Sequence, residues 1–227
     1  MSKGFLAIIA VIVVVFGGIV IYNNHKNGNT SSSTATPTNH VEGDLSSKVT
    51  LLMYGDYECP VCEAYFTTVT QVQQQYNSDM KFQFRNLPLT QIHPNALAGA
   101  RAAEAADLQG KFWQMHDTLY EAENWNEWST SSNPDPYFWT YAAQLGLNIS
   151  KFKTDFASAA VNNRIQADVA AFDKTGEQEA TPTFFLNGKY IPNTKLVDSS
   201  GDPSVSAFDS VINAELKATG MPLPANS

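Results

Sequence analysis

The sequence predicts an α/β domain in which helices cover a small sheet, and three observations predict it. A short apolar run, Val49–Tyr54, precedes a helical stripe of Tyr65, Val69, Val72 and Tyr76, and an alternating run, Met80–Asn86, follows. The stretch from about 93 to 175 carries helical patterns only. Two apolar runs, Thr183–Leu186 and Lys189–Ile191, then flank Asn187-Gly188, the pair that most favours the tight turn of a β-hairpin.

Each element has a local cause. Val49–Tyr54 is apolar on both faces, as a central strand must be. With the stripe and the alternating Phe82 and Phe84 it makes a βαβ unit, whose right-handed crossover leaves its strands parallel. His93-Pro94-Asn95 opens an alanine-rich helix ending near Gly110, and Lys111–Glu123 keeps Phe112, Met115 and Leu119 in register. Phe138, Tyr141, Ala142 and Leu145 mark a further helix that Gly146 stops. Ser150 is expected to cap the next, with Phe152 and Phe156, and Ile165, Val169 and Phe172 continue the pattern to Gly176. Pro203–Ala218 closes the domain as a helix with Val205, Phe208 and Ile212 inward and Gly220 beyond its end. Trp113, Trp125, Trp128 and Trp139 all fall in the helical block and read mainly as core.

The N-terminus reads differently. Phe5–Tyr22 is 18 residues without a charge, the lower limit for a membrane-spanning helix. Lys3 and the amino terminus precede it and Lys26 follows, so residues 1–22 are expected to be a transmembrane anchor with a cytoplasmic N-terminus. No small-x-small cleavage site follows directly, although a cleaved signal is the alternative. Residues 23–40, polar and rich in Ser and Thr, read as a flexible linker, and the folded domain as 41–227. A formal charge of −8 excludes a general affinity for nucleic acid and a polybasic lipid-binding face.

Two cysteines, both in Cys59-Pro60-Val61-Cys62, carry the chemistry. Cys59 is expected at the N-cap of a helix with Pro60 at its first position, where a missing N–H costs nothing. The free amides and the positive end of the dipole stabilise an anion there, so the Cys59 thiolate is favoured and the pair becomes oxidising. Cys62, one turn on, is the more buried, resolving thiol. Pro60 and Val61 tune the pair without offering a side-chain donor, while Asp56, Glu58 and Glu63 oppose a low pKa.

Two other readings of the cysteines are weaker. A zinc site with His93 or His116 matches no ligand spacing, so no metal is expected. A purely structural disulfide over so short a loop would stabilise little. Asp198–Asp202 lacks the ligand alternation of a calcium loop and reads as a polar turn. His93 is read as a helix-start or surface residue. Thr181-Pro182 stands at the entrance of a central strand, where a proline is special and a cis bond is one such case.

The blocks Val41-Glu42-Gly43, Val49 to Cys62, Phe84–Leu89, His93–Ala96, Phe112–His116 and Thr181–Gly188 together resemble the DsbA-like thioredoxin-fold oxidoreductases, in the branch of BdbD-type proteins. The resemblance runs from about residue 41 to the C-terminus. It implies a thioredoxin-like fold with an inserted helical subdomain, preceded here by one N-terminal transmembrane helix. It also implies Cys59 as the solvent-facing attacking thiolate, Cys62 as the resolving thiol, Pro182 as a cis-proline facing them and Thr181 as a backbone partner for extended substrates. One departure is that Val49–Tyr54 lacks the buried carboxylate some members use to move a proton, leaving Asp56 or water for that task.

The expected activity is a dithiol oxidase that donates the Cys59–Cys62 disulfide to unfolded or reduced exported proteins, with no other cofactor. A membrane reoxidase of DsbB or VKOR type is implied by the resemblance, and the catalytic domain is expected outside the cell membrane. A reductase or isomerase using the same residues, and a non-redox thioredoxin-fold chaperone or binding module, are the alternatives.

Overall fold

The computed structural model describes residues 35–224. The anchor expected over residues 1–22, and the linker up to residue 34, lie outside them. Among the described residues no helix is long and apolar enough to cross a membrane.

Five strands form one sheet in the order β1-β3-β2-β4-β5: β1 (His40–Gly43), β2 (Thr50–Gly55), β3 (Lys81–Asn86), β4 (Thr183–Leu186) and β5 (Lys189–Ile191). β2 and β3 run parallel, from Thr50 opposite Lys81 to Gly55 opposite Asn86, and α1 (Pro60–Gln75) connects them as the βαβ pattern requires. β4 pairs antiparallel with β2, and β5 returns along β4 through Asn187 (φ 48°) and Gly188 (φ 77°), the left-handed pair that matches strand twist. Asn187 does more than turn, since its Oδ1 accepts the Thr50 amide at 2.8 Å and its Nδ2 donates to Glu215 at 2.8 Å.

Strand alternation sorts the core onto two faces. Leu51 and Met53 pack with Tyr65, Val69 and Val72 of α1 and with Phe208 and Ile212 of α8 (Val205–Thr219). Leu52 and Tyr54 point the other way, toward Leu87, Phe172 and Phe185. Burying each large apolar side chain contributes roughly 1.5–3 kcal/mol, so both helical layers are held by the sheet.

Between β3 and β4 lie α2 (Ala96–Asp107), α3 (Phe112–Tyr120), α4 (Ala122–Ser129), α5 (Asp135–Gln144), α6 (Ile149–Phe156) and α7 (Ala159–Asp173). Two boundaries differ from the sequence reading. The helix expected over Lys111–Glu123 breaks at Glu121, whose φ −55° and ψ 127° are extended. The bend carries Trp125 to the Tyr57 carbonyl, which its indole N–H reaches at 2.9 Å, and buries Trp128 completely. The cap of α6 is Asn148, not Ser150, because the Asn148 side chain accepts the Lys151 amide at 2.9 Å.

The expected start of the domain at Val41 also moves. Thr38 and His40 are buried, and both are tied to the inserted helices. Asp168 of α7 accepts the Thr38 amide at 2.6 Å, the Thr38 hydroxyl at 2.7 Å, and the Asn86 amide at 3.0 Å. Glu104 of α2 accepts His40 Nε2 and Asn86 Nδ2, each at 2.7 Å, through one oxygen, and its other oxygen forms an ion pair with Arg164 Nε at 3.0 Å. His40 further stacks on Phe112 with ring centroids 3.4 Å apart. β1 is therefore a strand that the sequence pattern did not single out, paired antiparallel with β3 at the sheet edge.

Gly99 of α2 shows how closely the insertion fits the rest. A Cβ there would lie 2.9 Å from Tyr57 Cβ and 3.1 Å from the Trp128 ring. Gly99→Ala is expected to cost roughly 1–3 kcal/mol through overpacking, read as a lower urea midpoint with an unchanged slope.

Candidate functional site

The end of β2 delivers Asp56, Tyr57 and Glu58 to the start of α1, and Cys59 is the N-cap with an extended backbone (φ −70°, ψ 120°). Pro60 occupies the first turn, so the helix begins without losing a hydrogen bond. The Cys59 amide donates to the Asp56 carbonyl at 3.2 Å, and the Cys59 carbonyl accepts the Glu63 amide at 3.1 Å. The loop is thus closed on itself before the helix starts.

The two thiols are free and unequal. Cys59 exposes 5% of its surface and Cys62 none, so Cys59 is less solvent-facing than expected but still the accessible one of the two. The Cys62 thiol, hydrogen-bonded to Cys59, is the chief cause that lowers the Cys59 pKa from the ordinary 9.0 to about 6; burial opposes this, and the Thr181 hydroxyl and the Cys62 and Val61 amides assist. Burial first, then the hydrogen bond and charge of Cys59, push the Cys62 thiol well above its usual value. Val61 contributes its amide and leaves its side chain about half exposed, while Pro60 is exposed.

Thr181 and Pro182 come to the same place. Their peptide bond is cis, and the Thr181 carbonyl lies 3.5 Å from Cys59 Sγ. The Thr181 hydroxyl has no partner outside the sulfurs. All six residues singled out from sequence (Cys59, Pro60, Val61, Cys62, Thr181 and Pro182) therefore sit around one pair of sulfur atoms.

Structure adds residues that sequence spacing did not reveal. Asp56 is fully buried; its Oδ2 accepts His93 Nδ1 at 2.7 Å and the Leu89 amide at 2.9 Å, and its Oδ1 accepts the Glu58 amide at 2.9 Å. Glu58 in turn accepts the Asn95 amide. The acidic residues flanking Cys59 thus direct these oxygens to the loop after β3. His93 is part of this arrangement and not a plain surface residue. Below the cysteines, the Tyr57 and Tyr120 hydroxyls and His116 Nε2 are buried without hydrogen-bond partners, in a packed set of rings with Tyr57 and Tyr120 centroids 4.9 Å apart. Tyr57 and His116 fell within the sequence blocks Val49 to Cys62 and Phe112–His116, whereas Tyr120 fell in none.

Neither His93 nor His116 gathers with the cysteines as metal ligands. Among the described residues the candidate metal group is His40, Glu104 and Asp107. Arg164 already reaches both of its carboxylates, and His40 contacts Glu104 and Asp107, so the protein supplies its own cation there in Arg164.

A family model described as Thioredoxin matches residues 35–213. Among solved structures, BdbD from Bacillus subtilis is 22% identical, with a TM-score of 0.64 over 81% of this chain and 97% of that one. A thioredoxin-like oxidoreductase from Silicibacter pomeroyi DSS-3 is 23% identical, with a TM-score of 0.62 over 83% and 98%. The α-DsbA1 of Wolbachia pipientis is 20% identical, with a TM-score of 0.62 over 82% and 95%. At these identities the likeness establishes the fold. Among curated relatives, a protein named Na(+)/H(+) antiporter NhaA 1 of Mycolicibacterium gilvum is 38% identical over 152 residues, covering 66% of this chain and 23% of its own length. One named NhaA 3, of Salinispora tropica, is 35% identical over 171 residues, covering 75% and 25%. The chain spans about a quarter of the length of these curated relatives.

Two outcomes follow from the unequal thiols. Thiolate absorbance near 240 nm in the reduced protein is expected to rise with a midpoint at about pH 6, and Cys59→Ala to remove that step. Because the folded value lies below that of a free thiol, this thiolate stabilises the reduced fold fully only above about pH 9. That contribution falls away as pH drops toward 6. Urea midpoints of the reduced protein should follow the same curve, and those of Cys59→Ala should not.

Proposed function

The chain belongs to the thioredoxin family, and from that premise we propose that it is a thiol–disulfide oxidoreductase that works as a dithiol oxidase on exported proteins. The observation that carries this is the asymmetry of the pair: Cys59 lowered to about 6 beside a buried Cys62 pushed the other way. A stable Cys59 thiolate favours the reduced form, so the disulfide is readily given away.

The exchange runs in two steps. A substrate thiolate attacks Cys59 Sγ, the Cys59–Cys62 bond breaks, and Cys62 leaves as a thiolate that takes up a proton. A second substrate thiolate then attacks the substrate sulfur of the mixed disulfide, and Cys59 leaves as the stabilised thiolate. Two electrons pass from substrate to the pair for each disulfide made. The Thr181 carbonyl, 3.5 Å from Cys59 Sγ, borders the attacked sulfur, and we read Thr181 and Pro182 as the edge against which an extended substrate lies.

The remaining parts of the reading rest on the sequence and on the family resemblance. The disulfide itself is the redox group, with no added cofactor. Reoxidation falls to a membrane partner of DsbB or VKOR type, since this sequence holds no second cysteine pair. Residues 1–22 anchor the protein, with the N-terminus cytoplasmic and the catalytic domain outside. The antiporter activity in the names of the longer relatives is not proposed for this chain.

The reading is tested with a soluble form of residues 35–227. Titration against glutathione should give a potential well above the roughly −270 mV of thioredoxin, and a value at or below that level would favour a reductase. Cys62→Ser is expected to accumulate mixed disulfides with reduced client proteins on non-reducing gels, and Cys59→Ser to accumulate none. Full oxidase activity in Cys59→Ser would point instead to a binding module.

A further inference from the structure

We propose that Asp56 and His93 are positioning residues whose opposed charges set the redox potential of the Cys59–Cys62 pair. The inference rests on the oxidoreductase reading above and adds two residues to its site.

Asp56 touches the site through four groups. Its carbonyl accepts the Cys59 amide at 3.2 Å, its Oδ1 accepts the amide of Glu58, and its Oδ2 takes His93 and the Leu89 amide. Its own amide lies toward the Cys62 sulfur. The carboxylate is wholly enclosed, and the His93 side chain is 15% exposed. The charges of Asp56 and of both cysteines act on one buried hydroxyl, that of Tyr120, so the carboxylate shares the enclosed space of the sulfurs and opposes a thiolate there, because like charges in a poorly hydrated site repel. Protonated His93 makes the pair neutral and leaves the backbone amides free to favour the Cys59 anion. Without that positive charge the same place carries a net negative charge and the thiolate is disfavoured.

The other groups facing the pair can be named from each packed element. The loop after β2 contributes Glu58, whose carboxyl burial pushes upward, with Asp56 adding to that and His93 opposing it. α1 contributes Cys59 and Cys62. α3 contributes Tyr120, whose hydroxyl would sit 3.2 Å from a Cβ placed on Gly55 and whose ionisation burial suppresses, followed by the charges of Cys62, Tyr57, Asp56 and Cys59. α3 also contributes His116, packed on Tyr57 and Tyr120 but paired with Asp117 at 3.0 Å, so among the described residues His93 is the basic side chain in contact with Asp56.

The test compares the unaltered protein with His93→Asn, which retains a donor near Nδ1 without the charge, with Asp56→Asn, and with the double variant. Both the Cys59 thiolate midpoint, read by absorbance, and the equilibrium with glutathione are measured. His93→Asn is expected to raise the thiolate midpoint and to lower the oxidising equilibrium constant about tenfold, or ~30 mV. Asp56→Asn should shift both the opposite way, and the double variant should return near the starting values. Shifts of the same sign in both single variants, or none, would overturn the proposal, since a merely structural pair has no reason to give opposite signs.

If Asp56→Asn does not fold, the pH profile of the potential decides. There His93→Asn and His93→Gln, both uncharged at every pH, should each lower the potential across the profile, and profiles coincident with that of the unaltered protein would overturn the proposal. Failure of the wider reading looks different: the unaltered protein would not exchange with glutathione as an oxidase, while the thiolate midpoints would still report on the charge pair.

Discussion

Asn86 stands between two buried carboxylates, and much of the molecule is referred to that point. Its Nδ2 donates to Glu104 at 2.7 Å and to Asp168 at 3.1 Å, and its amide donates to Asp168 at 3.0 Å. Charges so enclosed are tolerated when donors or opposite charges meet them, and Thr38 and His40 add hydrogen bonds to those of Asn86 while Arg164 adds an ion pair. The result fastens α2 and α7 to the end of β3 and draws in the first described strand. The chain leaves Asn86 directly into the loop of residues 87–95, beginning with the Leu87 amide on the Gly55 carbonyl at 2.8 Å. That loop brings His93 and Asn95 onto Asp56 and Glu58. Charge satisfaction in the core is thus coupled, through a few residues, to the geometry beside the sulfurs.

At the site, one helix terminus acts on two thiols with opposite results. Cys59 has the amides at its side, whereas Cys62, a turn later, has lost its contact with solvent and lies in an apolar wall. Burial, which opposes ionisation in both, is outweighed only where donors converge. The acidic residues next to the motif do not spoil this, because Asp56 and Glu58 spend oxygens on the Leu89, His93 and Asn95 nitrogens.

What the sequence made legible was what it encodes locally. The stripe of α1, the turn at Asn187-Gly188 and the proline after Cys59 each fix their own backbone, and all three appear as read. What it hid depends on partners far along the chain. β1 is four residues long and exists because β3 offers it an edge and because Thr38 and His40 reach Asp168 and Glu104. The Asp56–His93 contact joins residues with no shared periodicity, so His93 looked like a surface residue. The break at Glu121 answers to Trp125 reaching Tyr57, a tertiary demand that helical periodicity does not record. The missing carboxylate of β2 was legible too, whereas the unpartnered Tyr57, Tyr120 and His116 atoms that lie in its neighbourhood were not.

The confinement of both cysteines to one turn of α1 has a consequence for the protein's own biogenesis. Within this sequence only one intrachain disulfide can form, and it joins residues three apart. Its formation leaves the distant parts of the chain unlinked. Folding therefore cannot be trapped by scrambled bridges, and either redox state is open to the nascent domain. A domain built this way needs no disulfide catalyst for its own folding.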